Sequence, residues 1–275
     1  ELTREWREQR KGELESGEAL LQRILKARRE AWEQAEFNKM KAKGIRPAND
    51  RWKRRYQESP VPDTSGLPRL PEGWTWTSLP QLGEFGRGKS KHRPRNDPTL
   101  YGGDFPFLQT GTVRASKGRI TAYDNTYNHL GLAQSKLWPK GTVCITIAAN
   151  IAATGVLQFD ACFPDSVVGL VPGPYIVGEY IEFFLRTERD SLDRYAPATA
   201  QKNINIEILE QVAVPLPPLD EQKAIYSSAQ EELSKIDDVE RTLRTAALHS
   251  AALRQSVLEA AFVGALIRPH AKAAT

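Results

Sequence analysis

Two chemistries compete for the residues of GEFGRGKSKHRPRNDP, Gly83 to Pro98. Gly83, Gly88, Lys89 and Ser90 satisfy the phosphate-loop pattern G-x-x-x-x-G-K-[ST], in which backbone N–H groups cradle a nucleotide's phosphates and the lysine reaches the outer ones. The ten residues from Gly86 to Arg95 also hold five cations, Arg87, Lys89, Lys91, Arg93 and Arg95, and no acid. All five stand at odd positions, so an extended chain would aim them to one side as a cationic edge for a nucleic-acid backbone. Arginine bridges phosphate oxygens or guanine O6 and N7, and His92 and Asn96 add shorter hydrogen-bonding groups suited to base edges. An ordinary solvated basic loop fits the same residues.

The phosphate-loop reading fails on context. A functional loop of that kind follows a buried strand and opens a helix. Here Pro80 interrupts the preceding TWTSLPQL, and Pro94 and Pro98 fall where the first helical turns should be. VLQFD, ending at Asp160, is a poor strand for presenting an acid to Mg2+ because Gln158 interrupts it. Asp165 in FPDSVV and the EQK of Glu221 to Lys223 imitate a PD…ExK nuclease, but EQK falls on the cap of a long helix rather than on a strand. His92, His129, His249 and His270 are scattered, so no catalytic residue and no metal ligand is assigned. A second reading element is TAQKNIN, Thr199 to Asn205: Gln201 and Asn203 carry amides that pair with adenine N6 and N7, and Lys202 can take a phosphate. A turn capped by Asn203 and Asn205 fits that segment equally well.

Charge distribution supports a polyanion partner more than the total does. The 275 residues carry +4, but residues 1–60 hold 16 Lys and Arg against 11 Asp and Glu, and residues 61–140 hold 11 against 6. Residues 141–220 reverse this at 4 against 10, so the basic character is concentrated in the first half. Two cysteines, Cys144 and Cys162, lie in apolar surroundings without a CxxC, which points to buried thiols in a reducing compartment. No apolar run approaches the roughly 18 residues of a spanning helix, and ELTREWREQRKGELE is too charged for a signal peptide, so a cytoplasmic protein is expected. The chain opens without Met and in mid-pattern, as a fragment or processed product would.

Positioning these residues requires a mixed α+β architecture. Leu20, Leu21, Ile24, Leu25, Ala31, Trp32 and Ala35 recur at helical spacing and predict a helix over 17–43, capped by Ser16 and stopped by Gly44 and Pro47. Residues 44–73, rich in Pro, Gly and charge, read as a linker. From Trp74 to Pro218 short apolar runs punctuated by Gly, Pro and Asn predict strands, with one helix around IVGEYIEFFLRTERDSLDRY. A final helix, capped by Asp220, runs about 43 residues to Gly264. Ala229, Ile236, Leu243, Ser250 and Val257 take heptad position a, and Val239, Ala246, Leu253 and Ala260 position d, with Glu232 a misfit. Such a coiled-coil-like seam needs a partner helix; the first helix is the intrachain candidate, which gives one α+β domain mounted on long helices.

Taken in order, LPEGWTWTSL, GEFGRGKSKHRPRNDP, LYGGDFPFLQTGTV, ITIAANIAATGVLQFDACFPDSVVGLVP, AQKNINIEILEQVAVPLPPLDEQKAI and LRQSVLEAAFVGAL resemble a type I restriction-modification specificity (S) subunit. The resemblance covers Leu67 to about Leu266. It implies a spacer helix and linker over 1–66, a target-recognition domain over 67–218, a long helix over 219–266 and a disordered tail over 267–275. Thr112 departs from the pattern, since the family more often has an acid after the T-G of QTGTV. AFVGALIRP at the end resembles the segment that would run into ELTREW at the beginning, so the chain reads as part of a longer S subunit or as a half-length S protein that dimerises.

The resemblance further implies that the long helices are antiparallel, and recognition of half of a bipartite duplex DNA site, with methyltransferase (M) subunits docked on the helices and restriction (R) subunits in the larger complex. S-adenosylmethionine, ATP and Mg2+ would then belong to partner subunits, with no cofactor in this chain and no membrane partner. Helix packing falls to Ile236, Val239, Leu243, Leu253 and Val257. The rival readings are a nuclease or NTPase using the Gly83–Ser90 loop, and an assembly scaffold that does not bind DNA.

Overall fold

Ser16, in an extended conformation, accepts the Ala19 N–H at 3.2 Å and so starts the helix that the apolar spacing predicts, Gly17–Ala42. Gly44, at φ +71°, ends it, because the left-handed region there costs glycine nothing. The computed structural model describes residues 2–92, 94, 96–194 and 204–263. Its helices are α1 (Arg4–Glu8), α2 (Gly17–Ala42), α3 (Leu79–Leu82), α4 (Thr110–Ala115), α5 (His129–Ala133), α6 (Gly178–Thr187), α7 (Arg189–Arg194), α8 (Ile206–Glu210) and α9 (Leu219–Phe262). The strands are β1 (Thr75–Ser78), β2 (Gly83–Arg87), β3 (Tyr101–Phe107), β4 (Gly118–Ile120), β5 (Asn125–Tyr127), β6 (Leu137–Trp138), β7 (Val143–Thr146), β8 (Thr154–Leu157), β9 (Ala161–Cys162), β10 (Val167–Pro172) and β11 (Ala213–Leu216).

Five strands form the principal sheet in the order β2-β10-β7-β8-β4, antiparallel except for the parallel β8–β4 pair. A second sheet runs β5-β3-β9-β6, and β1 pairs with β11. Val143, Ile145, Val168 and Leu170 of the principal sheet bury against Ile181 and Leu185 of α6 and Leu20 and Ile24 of α2. On a second apolar cluster Trp138 and Phe163 stack at 5.0 Å. Cys144 and Cys162 are both free and buried, as their surroundings predict. Burial pushes the Cys144 thiol far above its ordinary value.

Two expectations are corrected here. Residues 44–73 are not simply a linker: Asn49 caps a 3-10 turn over Asp50–Arg55, and Trp52 and Tyr56 pack on Trp32 of α2 at 6.1 and 5.3 Å. Aromatic contact holds the segment to the helix, while Ala31 and Ala35 of the expected stripe stay exposed. The helix expected over 176–195 is broken at Glu188 into α6 and α7.

The chain divides into two compact units, Glu1–Tyr226 and Ser227–Thr275. Helix α9 is 44 residues long, close to the length the sequence predicts, but it begins at Leu219, so Asp220 stands inside the first turn, paired with Lys223 at 2.9 Å, rather than at the cap. Ile236, Val239, Leu243, Leu253 and Val257 are 54, 58, 64, 67 and 49% exposed. The seam is therefore open in the single chain. Helix α2, the expected intrachain cover, spends Leu20, Leu21 and Ile24 on the core of the first unit. Among the described residues no helix is long and apolar enough to cross a membrane, and the predicted tail over 267–275 lies outside them.

Candidate nucleic-acid interface

Strand register decides which candidate residues can act together. Val168 of β10 pairs with Arg87 on one side and Ile145 on the other, and Val167 pairs with Thr146. The end of β2, the end of β7 and the start of β10 therefore share one end of the principal sheet. The 147–153 turn joins β7 to β8 there, and β4, parallel to β8 with Gly118 opposite Gly155, starts at the same end just after α4. Arg87, Lys89, Lys91, Arg114 and Lys117 are exposed around this end. The Ile204 N–H donates to the Ile147 carbonyl at 2.9 Å, and Arg87 Nη2 donates to Asn205 Oδ1 at 3.1 Å, so the chain following Gln201, Lys202 and Asn203 returns to the same place. Asn205 caps α8, accepting the Ile206 N–H at 2.8 Å, as the capping alternative for that segment expects.

The glycines that imitate a phosphate loop have a packing cause. A Cβ on Gly83 would lie 2.0 Å from the Val171 carbonyl oxygen, and one on Gly88 would lie 2.3 Å from that of Phe163. Only glycine lets the chain approach β10 at Gly83, and the Phe163–Pro164 backbone at Gly88, so closely. Gly83–Arg87 is itself a strand, and the next helical element among the described residues is a 3-10 turn over Pro98–Leu100 rather than a helix opening at Lys89, which removes the geometry a nucleotide site needs.

The single extended cationic edge is also corrected. Gly88 and Lys89 donate to the Val167 and Phe163 carbonyls at 2.8 and 3.0 Å, after which the chain bends at His92. The backbone is fixed from its other side by Ser135, whose hydroxyl donates to the Lys89 carbonyl at 2.7 Å, and by Gln134, which accepts the His92 N–H at 3.0 Å. Lys89 and Lys91 thus project from a held segment. His92 Nε2 faces Asp97 Oδ2 at 2.8 Å, a local partner rather than an open hydrogen-bonding group. The Thr99 hydroxyl, then its N–H and then His92 hold the Asp97 carboxyl below its ordinary value. Asn96 is exposed. Arg93, Arg95, Gln201, Lys202 and Asn203 lie outside the described residues.

Two elements escape a reading of the sequence alone. The AANIAA turn holds Ala149 at φ 62° and Ala152 at φ 55°, each a left-handed alanine costing roughly 1–2 kcal/mol. Its geometry is enforced by Thr146, whose hydroxyl donates to the Asn150 carbonyl and accepts the Ala153 N–H at 3.0 Å, and by burial of Ile151 and Ala152. At the turn Asn150 Oδ1 accepts from Arg114 Nη1 at 2.9 Å. At the departing Thr112, the hydroxyl binds Asp124, which also accepts the Gln109 N–H at 2.9 Å, so an acid further along the chain organises that turn.

The second such element is Glu221, whose EQK context imitates a nuclease. Its fully buried carboxylate accepts from Thr3 Oγ1 at 2.8 Å, Arg7 Nε at 2.9 Å, Arg7 Nη2 at 2.7 Å and Trp74 Nε1 at 2.9 Å. Gln222 beside it accepts the Val177 N–H at 2.9 Å and donates to the Pro217 carbonyl at 3.1 Å. EQK therefore fastens the N-terminal segment to the start of α9. Three of these bonds fall on Oε1 and one on Oε2, so the carboxylate is held by structural partners rather than presented to a cleft.

Comparison with known proteins agrees with this architecture. Residues 71–246, more than half of the chain, match the family described as type I restriction modification DNA specificity domain. The StySPI type I restriction enzyme specificity subunit of Salmonella potsdam is 22% identical over 205 residues, spanning 72% of this chain and 44% of that protein. The putative MjaX specificity subunit of Methanocaldococcus jannaschii is 25% identical over 176 residues, spanning 64% and 39%. The chain thus covers less than half the length of these curated relatives. Among solved structures, the HsdS subunit from Thermoanaerobacter tengcongensis superposes with a TM-score of 0.54 at 23% identity over 91% of this chain and 57% of that one. A chain from a study of assembly and conformational transition in the type I R-M system gives 0.56 at 22%, over 90% and 57%. The fold is therefore α+β of the HsdS kind, and the chain belongs to the type I restriction-modification DNA specificity domain family.

Proposed function

We propose that this chain reads one half of a bipartite duplex DNA target as the specificity component of a type I restriction-modification complex. The observation that carries the reading is the gathering of Arg87, Lys89, Lys91, Arg114 and Lys117, with Asn150 and Asn205, at one end of the principal sheet. Exposed cations on a held backbone suit phosphates, and amides and arginine forks among them suit base edges. Residues 67–218 form the target-recognition domain, and Arg93, Arg95, Gln201, Lys202 and Asn203 are assigned DNA-contacting roles from their chemistry alone. Residues 1–66 act as spacer and 219–266 as the long helix, whose open seam at Ile236, Val239, Leu243, Leu253 and Val257 takes a partner helix from a second S half or a second copy. Adenine methylation from S-adenosylmethionine and ATP- and Mg2+-dependent cleavage belong to M and R subunits in the cytoplasm.

Duplex binding measured by fluorescence anisotropy against salt tests this. Lys89→Ala, Lys91→Ala and Arg93→Ala should each lower the slope of log K against log salt by about one for every phosphate that the variant no longer neutralises. ATP should give no saturable binding. Micromolar ATP affinity abolished by Lys89→Ala would restore the nucleotide reading.

A further inference from the structure

The guanidinium of Arg114 is held on one side only. Nη1 donates to Asn150 Oδ1, and among the described residues the side chains of Arg114 and Asn150 make no other hydrogen bond. One lone pair of Asn150 Oδ1 is thus taken by Arg114, and the donors left over are the Asn150 amide N–H2 and the Nε/Nη2 edge of Arg114. That edge is a planar two-donor fork, matched to two acceptors side by side, and guanine presents such a pair, O6 and N7, in the major groove. Orientation by Asn150 is what separates this arginine from Lys89 and Lys91, because binding a phosphate needs charge and reach but no fixed plane.

The turn beneath is shaped for close approach. Ala149 is exposed at φ 62°, so the most prominent position carries only a methyl group, and Ala148 beside it is equally small. Its buried flank, Ile151 and Ala152, anchors the strained backbone. Strain retained by a surrounding structure that over-determines it is common at ligand-contacting sites. We propose that Arg114, positioned by Asn150 on the Ala148–Ala152 turn, reads a guanine in the major groove of the target half-site, an inference that rests on the duplex-reading function proposed above.

The test is selection of a randomised duplex pool by the full chain, followed by affinity measurements on the selected duplex and its single-base variants. Arg114→Ala should lose roughly tenfold on the selected duplex, lose little on random duplex, and no longer discriminate at one guanine. Asn150→Ala should relax the same base position, and the double variant should lose no more than Arg114→Ala alone, because Asn150 acts through Arg114. Ala149→Asn, which the left-handed conformation tolerates, should leave thermal melting unchanged while weakening binding to the selected duplex. Three results overturn the proposal while leaving the duplex-reading function standing: an unchanged motif in Arg114→Ala, equal losses on selected and random DNA that mark a phosphate-binding role, or relaxation of different bases by Asn150→Ala and Arg114→Ala. Failure of the parent chain to enrich any sequence overturns both.

Discussion

Glu221→Gln isolates the charge of a side chain that accepts four hydrogen bonds from three partners. The carboxylate is fully buried, and its partners are the Arg7 guanidinium, the Trp74 indole and the Thr3 hydroxyl. Gln keeps the volume but turns one oxygen into an NH2 group, which must face either Arg7 or Trp74, donor against donor. Breaking a buried pair from one side costs about 3–5 kcal/mol, and Gln retains one acceptor, so a loss of about 3 kcal/mol is expected. In a domain of this size that lowers Tm by roughly 6–12 °C. Arg7 keeps 23% of its side chain in solvent, so Arg7→Ala should cost less than Glu221→Ala, which strands the other three groups together. Urea unfolding followed by tryptophan fluorescence is the assay, and a double-mutant cycle with Trp74→Phe isolates the indole bond. A Glu221→Gln stability within about 0.5 kcal/mol of the parent would refute the anchor, since that is the range of ordinary surface substitutions.

Four further outcomes are expected. Gly88→Ala should destabilise by about 1–3 kcal/mol, because its Cβ meets the Phe163 carbonyl at 2.3 Å; a neutral result by denaturant titration would contradict the packing role. Ile236→Asp and Leu243→Asp should leave single-chain melting nearly unchanged, since both residues are exposed, yet abolish concentration-dependent association and capture of M subunits; unchanged association would remove the seam. Cys144 and Cys162, whose thiols burial pushes up, should resist a thiol reagent at neutral pH in the folded chain and react on unfolding, as stopped-flow labelling would show. The Asp97 pKa is depressed on folding, so its contribution is complete above the ordinary carboxylate range and is lost as pH falls through the lowered value; Thr99 amide protection should therefore fade below about pH 4 and not between pH 5 and 8.

Local signals were legible where one short-range cause acts. Ser16 and Gly44 bound α2 because capping and left-handed termination need only neighbouring residues. The length of α9 and the failure of the phosphate loop were readable for the same reason, the latter from Pro94 and Pro98. Long-range causes were not. Arg114 and Asn150 are 36 residues apart in sequence, and Thr3 and Glu221 are 218 apart; nothing in either neighbourhood announces its partner. Gly83 and Gly88 misdirected for a related reason, since glycines required by a neighbouring backbone look in sequence like glycines required by a phosphate. The alternation of Arg87 to Arg95 suggested one extended edge, but bonds to Phe163 and Gln134 turn the chain at His92.

Selection from a randomised duplex pool bears most directly on the central claim, that the end of the principal sheet reads DNA sequence. Parent protein and a triple variant, Arg87→Ala, Lys89→Ala and Lys91→Ala, would be compared after confirming equal melting temperatures. Sequence-specific reading predicts that the parent enriches one short half-site motif and that the triple variant loses affinity for all duplexes, with a shallower salt dependence. Enrichment of no motif by the parent, or an identical motif and salt slope in the variant, would contradict it.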